Sequence, residues 1–255
     1  YSNSQSVQKL NDSIINKNQS SLTSLLNYNT VIYFKENGLG MVSSPSFRGT
    51  TAQQTAVIWN GININSQLNG QTDFNTLTTR NFDNITVRAG GGSSIYGSSA
   101  IGGSIHLNNN LSFINHFYNE VRLNYGSFNT FGGHYKIDVS DGKLAVQASI
   151  SRNSSDNDYD YLDTDKKNEN GQFYNTNINV VAGYQLNDSN ILKIYSQVFD
   201  SERHFSGSLG FVSKSKYQDV NTRNMLEWTG LHSQFTSKLK VAFISENYKY
   251  FEDEK

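Results

Sequence analysis

The chain has 255 residues, 36% of them hydrophobic and 13% aromatic, and its 21 Lys+Arg against 22 Asp+Glu leave a net charge of -1. That balance excludes the basic face a nucleic-acid partner requires, and the absence of cysteine excludes disulfides and thiolate metal sites. No run of about 18 apolar residues occurs, which excludes a transmembrane helix but not a membrane β-barrel, whose strands only alternate.

Residues 1–30 are polar and carry two helical patterns. Asp12 or Ser13 is placed to cap a short helix bearing Ile14 and Ile15. Ser20 or Ser21 is placed to cap a second, with Leu22, Leu25 and Leu26 at i, i+3, i+4 spacing. Short strands broken by glycine follow at 31–34, 56–59, 85–87 and 104–107. Asn60-Gly61 turns the second of these onto Ile62 and Ile64, a strong hairpin signal. Helices and strands mixed in this way predict an α+β domain over residues 1–110.

From about residue 119 the texture changes to period-2 alternation. Val121, Leu123 and Tyr125 share one face against Arg122 and Asn124, and Phe131, Tyr135, Ile137 and Val139 oppose His134, Lys136 and Asp138. Leu144, Val146, Ala148 and Ile150 oppose Gln147, Ser149 and Ser151, and Ile178, Val180 and Ala182 oppose Asn177 and Asn179. Further strands fall near 190–200, 222–234 and 238–250, giving seven strands over residues 111–255 with no intervening helix. Tight turns at 141–142, 187–189 and 233–236 alternate with long polar loops at 152–172 and 201–221. An outer-membrane barrel sorts its connections in this way, and its strands place one face against lipid and the other against a wet lumen. A soluble β-rich adhesion or carbohydrate-binding protein would bury the apolar face instead.

No catalytic constellation stands out. His106, His116, His134, His204 and His232 are scattered and read as surface or lumen residues. No Gly-x-Ser-x-Gly elbow occurs. Gly90-Gly91-Gly92-Ser93-Ser94 lacks the Gly-Lys-Ser/Thr ending and the helical continuation of a phosphate loop. The reading is therefore non-enzymatic.

The order Phe47-Arg48-Gly49, Trp59-Asn60-Gly61, Ile85-Thr86-Val87-Arg88-Ala89-Gly90, then Ser94-Ile95-Tyr96-Gly97 leading to Ile101-Gly102-Gly103, resembles the plug domain of a TonB-dependent outer-membrane receptor. The segment 55–73 is similar to the vitamin B12 receptor branch found in Bacteroidetes-type bacteria. The resemblance implies a fold: an α+β plug domain followed by antiparallel transmembrane β-barrel strands. About seven strands of an expected twenty-two are present. It also implies a location in the bacterial outer membrane, and partners in the TonB–ExbB–ExbD energy-coupling complex, outer-membrane lipid and a small-molecule cargo, with a surface lipoprotein as a further candidate. The chain then reads as a fragment, with the signal peptide and TonB box ahead of Tyr1 and the remaining strands after Lys255.

Carried over by position, the resemblance implies ligand contacts at Asn65, Ser66, Gln67, Leu68 and Asn69, then Ser93, Ser94 and Tyr96. These are neutral amides, hydroxyls, an aliphatic and one aromatic, which suits an amide-edged, near-neutral cobalamin better than an anionic ferric siderophore. A siderophore or other nutrient receptor of the same architecture is the alternative. Arg48 and Arg88 are expected to be buried and paired. Gly49, Gly61, Gly90, Gly97, Gly102 and Gly103 are expected to serve tight turns or close backbone packing. Asp156, Asp158 and Asp160, at i, i+2, i+4 in the loop 152–172, suit calcium, and the extracellular loops of B12 receptors hold calcium. No cofactor is otherwise required.

Overall fold

The computed structural model describes residues 6–17, 21–36, 38–97 and 99–253. The chain divides into two compact units, Tyr1–Asn110 and Leu111–Lys255.

In the first unit β1 (Ser6–Leu10) precedes α1 (Asp12–Lys17), α2 (Leu22–Asn29), β2 (Ile32–Glu36) and β3 (Ser43–Phe47). Then come β4 (Thr55–Trp59), β5 (Ile62–Asn63), β6 (Asn84–Ala89), the single-turn α3 (Ser93–Tyr96) and β7 (Gly103–Asn108). β2 and β3 form a two-stranded ribbon. The other five strands form a sheet in the order β1-β6-β7-β4-β5, with β4 and β7 parallel and the remaining pairs antiparallel.

Local chemistry explains most of these elements. Asn11 caps α1, its Oδ1 accepting from the Ile14 amide at 3.0 Å, one residue before the expected Asp12 or Ser13. Ser21 caps α2, accepting from the Ser24 amide at 3.2 Å, whereas Ser20 lies outside the described residues. Leu22, Leu25 and Leu26 are fully buried as their spacing predicts, each contributing about 1.5–3 kcal/mol. Every residue of β4 is buried, as an inner strand's continuous apolar run requires. Asn60 (φ 46) and Gly61 (φ 91) both adopt left-handed conformations, which a two-residue type I′ hairpin demands.

Two strands escaped the sequence reading. β1 is exposed at every position except Leu10, so it is held by its ladder to β6 and carries no hydrophobic pattern. β3 contains Pro45, which the ribbon tolerates because only one side of β3 is paired.

The second unit is one seven-stranded antiparallel sheet in sequence order. Its strands are β8 (His116–Gly126), β9 (Thr130–Ser140), β10 (Leu144–Ser155), β11 (Phe173–Asn187), β12 (Asn190–His204), β13 (Lys216–Leu231) and β14 (Thr236–Phe251). Among the described residues β8 and β14 do not pair with each other, so the sheet is an open part of a barrel. The strands of 11 to 16 residues are long enough to cross a bilayer.

The burial along these strands is the inverse of a water-soluble sheet. On β10, Leu144 and Ile150 are exposed while Gln147, Ser149 and Ser151 are buried. On β13, Val220 and Leu226 are exposed while Asp219, Arg223 and Glu227 are buried. On β14, Leu239, Val241 and Phe243 are each more than 60% exposed. Leaving one such side chain in water forgoes roughly 1.5–3 kcal/mol, so a dozen would outweigh the 5–15 kcal/mol stability of an ordinary domain. Hydrocarbon removes that penalty. The register confirms a band: the row Val146–Ala182–Ile194–Leu226–Val241 is apolar across five strands, whereas Arg152–Thr176–Asp200 ends it.

The connections differ from expectation in length. β10 runs to Ser155, β12 to His204, and β13 begins at Lys216, so the long loops span 156–172 and 205–215. Above the apolar band the strands lose their alternation, and polar residues there read as loop. The third connection at that end, 127–129, is short.

Candidate functional site

Parallel pairing of β4 with β7 brings Thr55 against Gly103, and antiparallel pairing of β6 with β7 brings Ala89 to the same level. Three segments far apart in sequence therefore meet at one end of the sheet: the turn after Phe47, the loop after β5, and the loop between β6 and β7. Short bonds tie them together. Gly102 N donates to Gln54 O at 2.9 Å, and Asn63 Nδ2 donates to Tyr96 O at 3.1 Å. The two sets of residues carried over as ligand contacts, 65–69 and 93–96, thus share this end.

Their roles separate. Asn65 is structural: its Oδ1 accepts from Val57 N at 2.9 Å and its Nδ2 donates to Thr55 O and Gly70 O at 3.0 and 3.1 Å. It extends the edge of β4 and anchors the loop. Ser66 Oγ accepts from Leu68 N, and Asn69 Oδ1 accepts from Gln71 N, which shapes the tip. Gln67, Leu68 and Asn69 project into solvent there. Ser94 and Ile95 are exposed on α3 and Tyr96 is half-buried; the Ser93 side chain lies outside the described part of the structure.

The loop between β6 and β7 closes on itself through Gly90 N to Gly102 O at 3.1 Å and Gly92 N to Ala100 O at 2.8 Å. Gly90 and Gly97 take positive φ, as do Gly49 and Gly61. Gly102 and Gly103 serve instead by close approach: a Cβ on Gly103 would lie 2.6 Å from Arg88 O, and one on Gly102 would strike the Thr50 side chain.

The two arginines behave differently from each other. Arg48 is exposed, contrary to the expectation of burial, because its left-handed φ of 47 at the turn aims the side chain outward. Arg88 is half-buried on β6, and its Nε has no acceptor among the described residues. Beside it, His106 is only 7% exposed. Burial, with the Arg88 charge adding to it, pushes the imidazole down to about 4. The sequence reading placed His106 at the surface or in a lumen. The signal for burial was that it alternates with Ile105 and Leu107 on an inner strand. Asn63 and Thr50 were also missed, since only the tertiary pairing gives them a partner.

The acidic loop of the second unit does not form a cation cage. Asp156 and Asp160 are exposed, and Asp158 lies 3.7 Å from Lys167 Nζ. Among the described residues no three His, Asp or Glu side chains gather as metal ligands. Asparagines order the loop instead: Asn168 Nδ2 donates to Asn157 O at 2.7 Å and to Ser206 Oγ at 3.1 Å, and Asn170 Nδ2 donates to Phe205 O and Ser215 O at 3.0 Å. The two long loops are knit together by these bonds.

A glycine-looped α+β unit followed by antiparallel strands with an apolar exposed face defines the class of plug-and-barrel outer-membrane receptors. The family model of the TonB-dependent receptor plug domain matches residues 1–104. The vitamin B12 transporter BtuB of Vibrio vulnificus is 38% identical over 72 residues, which make up 28% of this chain and 12% of that protein. Among solved structures, the copper transporter OprC aligns with a TM-score of 0.78 at 14% identity, over 94% of this chain and 37% of that one. The ferripyoverdine receptor of Pseudomonas aeruginosa aligns with a TM-score of 0.78 at 14% identity, over 96% and 34%. The chain thus spans only a minor part of the length of these relatives, and shares the fold of the part of such receptors that it covers.

Proposed function

We propose that the chain is the ligand-gathering N-terminal part of a receptor that imports a cobalamin-type nutrient across the bacterial outer membrane. Energy would come from a TonB–ExbB–ExbD complex, and no covalent chemistry is involved. The observation that carries the reading is that Gln67, Leu68, Asn69 and Ser94, exposed at this end of the plug sheet, are all uncharged, although the exposed Arg48 lies on the turn that shares the end. A large neutral ligand edged with amides is matched by amide and hydroxyl partners, with Leu68 offering an apolar contact. Similarity to a Vibrio vitamin B12 transporter over 72 residues supports the same cargo. The structural likeness to a ferripyoverdine receptor keeps an iron-siderophore cargo as the competing reading.

A competition panel on the complete receptor in detergent tests it. Cyanocobalamin is expected to bind and to resist displacement by ferric siderophores. Gln67→Ala and Asn69→Ala are each expected to weaken binding up to about tenfold, the worth of one neutral hydrogen bond. Tight binding of a ferric siderophore with no binding of cyanocobalamin would overturn the cargo.

A further inference from the structure

We infer that His106 is a positioning residue for Tyr96, holding the 90–103 loop closed while its imidazole is neutral and releasing the loop on protonation. The loop belongs to the ligand end described above, so the binding half of the inference rests on that reading.

The geometry sets up the coupling. Tyr96 is the loop's anchor: its amide donates to Gly92 O at 2.9 Å, and its ring packs on the buried cluster of Ala56, Ile58 and Ala100. The His106 ring meets the Tyr96 ring edge-on, centroids 4.8 Å apart at 76°. Nε2 of His106 shares a 2.9 Å hydrogen bond with Ser104 Oγ. The imidazole is therefore fixed on one side by its own strand and presses on Tyr96 with the other.

The same pocket has no place for a second positive charge. His106 faces Thr86 on β6 and Ile58 on β4 in register, with Arg88 two pairs further along β6, opposite Ser104. Arg88 and Tyr96 are the only other charged or titratable groups on β4, β6, β7 and α3, and none of these elements carries Asp or Glu. A protonated imidazole would sit buried beside a guanidinium, with no carboxylate on these described elements to balance either. The ring escapes that cost only by leaving Tyr96, which opens the loop.

The sign follows from linkage. In the opened loop the imidazole titrates near its solvent value of about 6.5, whereas in the closed loop it stays neutral down to about 4. Opening therefore takes up a proton between those limits, and closure is strongest above pH 6.5 and fades as pH falls toward 4. The opening equilibrium should rise on the order of tenfold per pH unit within that window.

Hydrogen exchange on the complete receptor in detergent reads this without any ligand. After correction for intrinsic exchange rates, peptides covering 90–102 should lose protection by roughly tenfold or more between pH 7 and pH 5. His106→Asn should flatten that dependence, and Arg88→Gln, which keeps the histidine, should give a shallower slope than the parent protein. Protection unchanged between pH 7 and pH 5, or an undiminished slope in His106→Asn, would overturn the inference. Cyanocobalamin affinity measured in parallel should weaken over the same range. Failure to bind cyanocobalamin at any pH would remove the cargo reading alone, because the exchange result does not depend on it.

Discussion

β4 and β13 both carry aliphatic side chains and place them in opposite senses. In β4 the apolar Val57, Ile58 and Trp59 are fully enclosed. In β13 Leu226 and Val220 are exposed while Arg223 and Glu227 are enclosed, Glu227 between Lys193 at 3.5 Å and Lys240 at 3.2 Å on the flanking strands. The plug unit follows the rule for water-soluble domains, whereas the strand unit is inside out. Burial thus depends on the medium beyond the outer face: hydrocarbon leaves exposed Leu and Val at no penalty, and polar groups then collect on the other face with partners of opposite charge.

Mutations should break that contrast in graded steps in the complete receptor refolded in lipid vesicles and unfolded with urea. The largest effect is expected for Trp59→Ala in the plug, about 3–5 kcal/mol, the range for emptying a large aromatic site in a packed core. Leu226→Arg, in the apolar row of the strand unit, should cost about 2–4 kcal/mol in vesicles. In a water-soluble sheet the same exposed position would tolerate arginine almost freely, so an unchanged midpoint for Leu226→Arg would contradict the membrane-facing assignment. Asn65→Ala should cost about 1–3 kcal/mol, because it leaves backbone groups of Thr55, Val57 and Gly70 short of a partner. Gln67→Ala, two residues away, should leave the midpoint in place, which separates scaffold from ligand contact. Among the destabilising changes the smallest, about 1 kcal/mol, belongs to the N-cap mutation Ser21→Ala.

Legibility in the sequence followed the range of the forces involved. The leucine spacing of α2, the Asn60-Gly61 hairpin and the alternation of the seven long strands are set within a few residues, and all were readable. Strand ends were not, since above the apolar band Ser154, Glu202 and Gln218 carry no pattern. β1 was invisible because its ladder to β6 is made by backbone groups, which leave no trace in side-chain type.

By itself, then, the amino-acid order determined a glycine-hinged α+β unit, a train of membrane-type strands and the neutral character of the loop residues. Only the tertiary structure decided that the turn after Phe47, the loop after β5 and the 90–103 loop meet at one sheet end, that Asn65 is an anchor, that Arg48 points outward, and that His106 is enclosed beside Arg88. The reason is that caps, turns and periodicity act locally, whereas the parallel β4–β7 register joins segments whose closeness no local preference encodes.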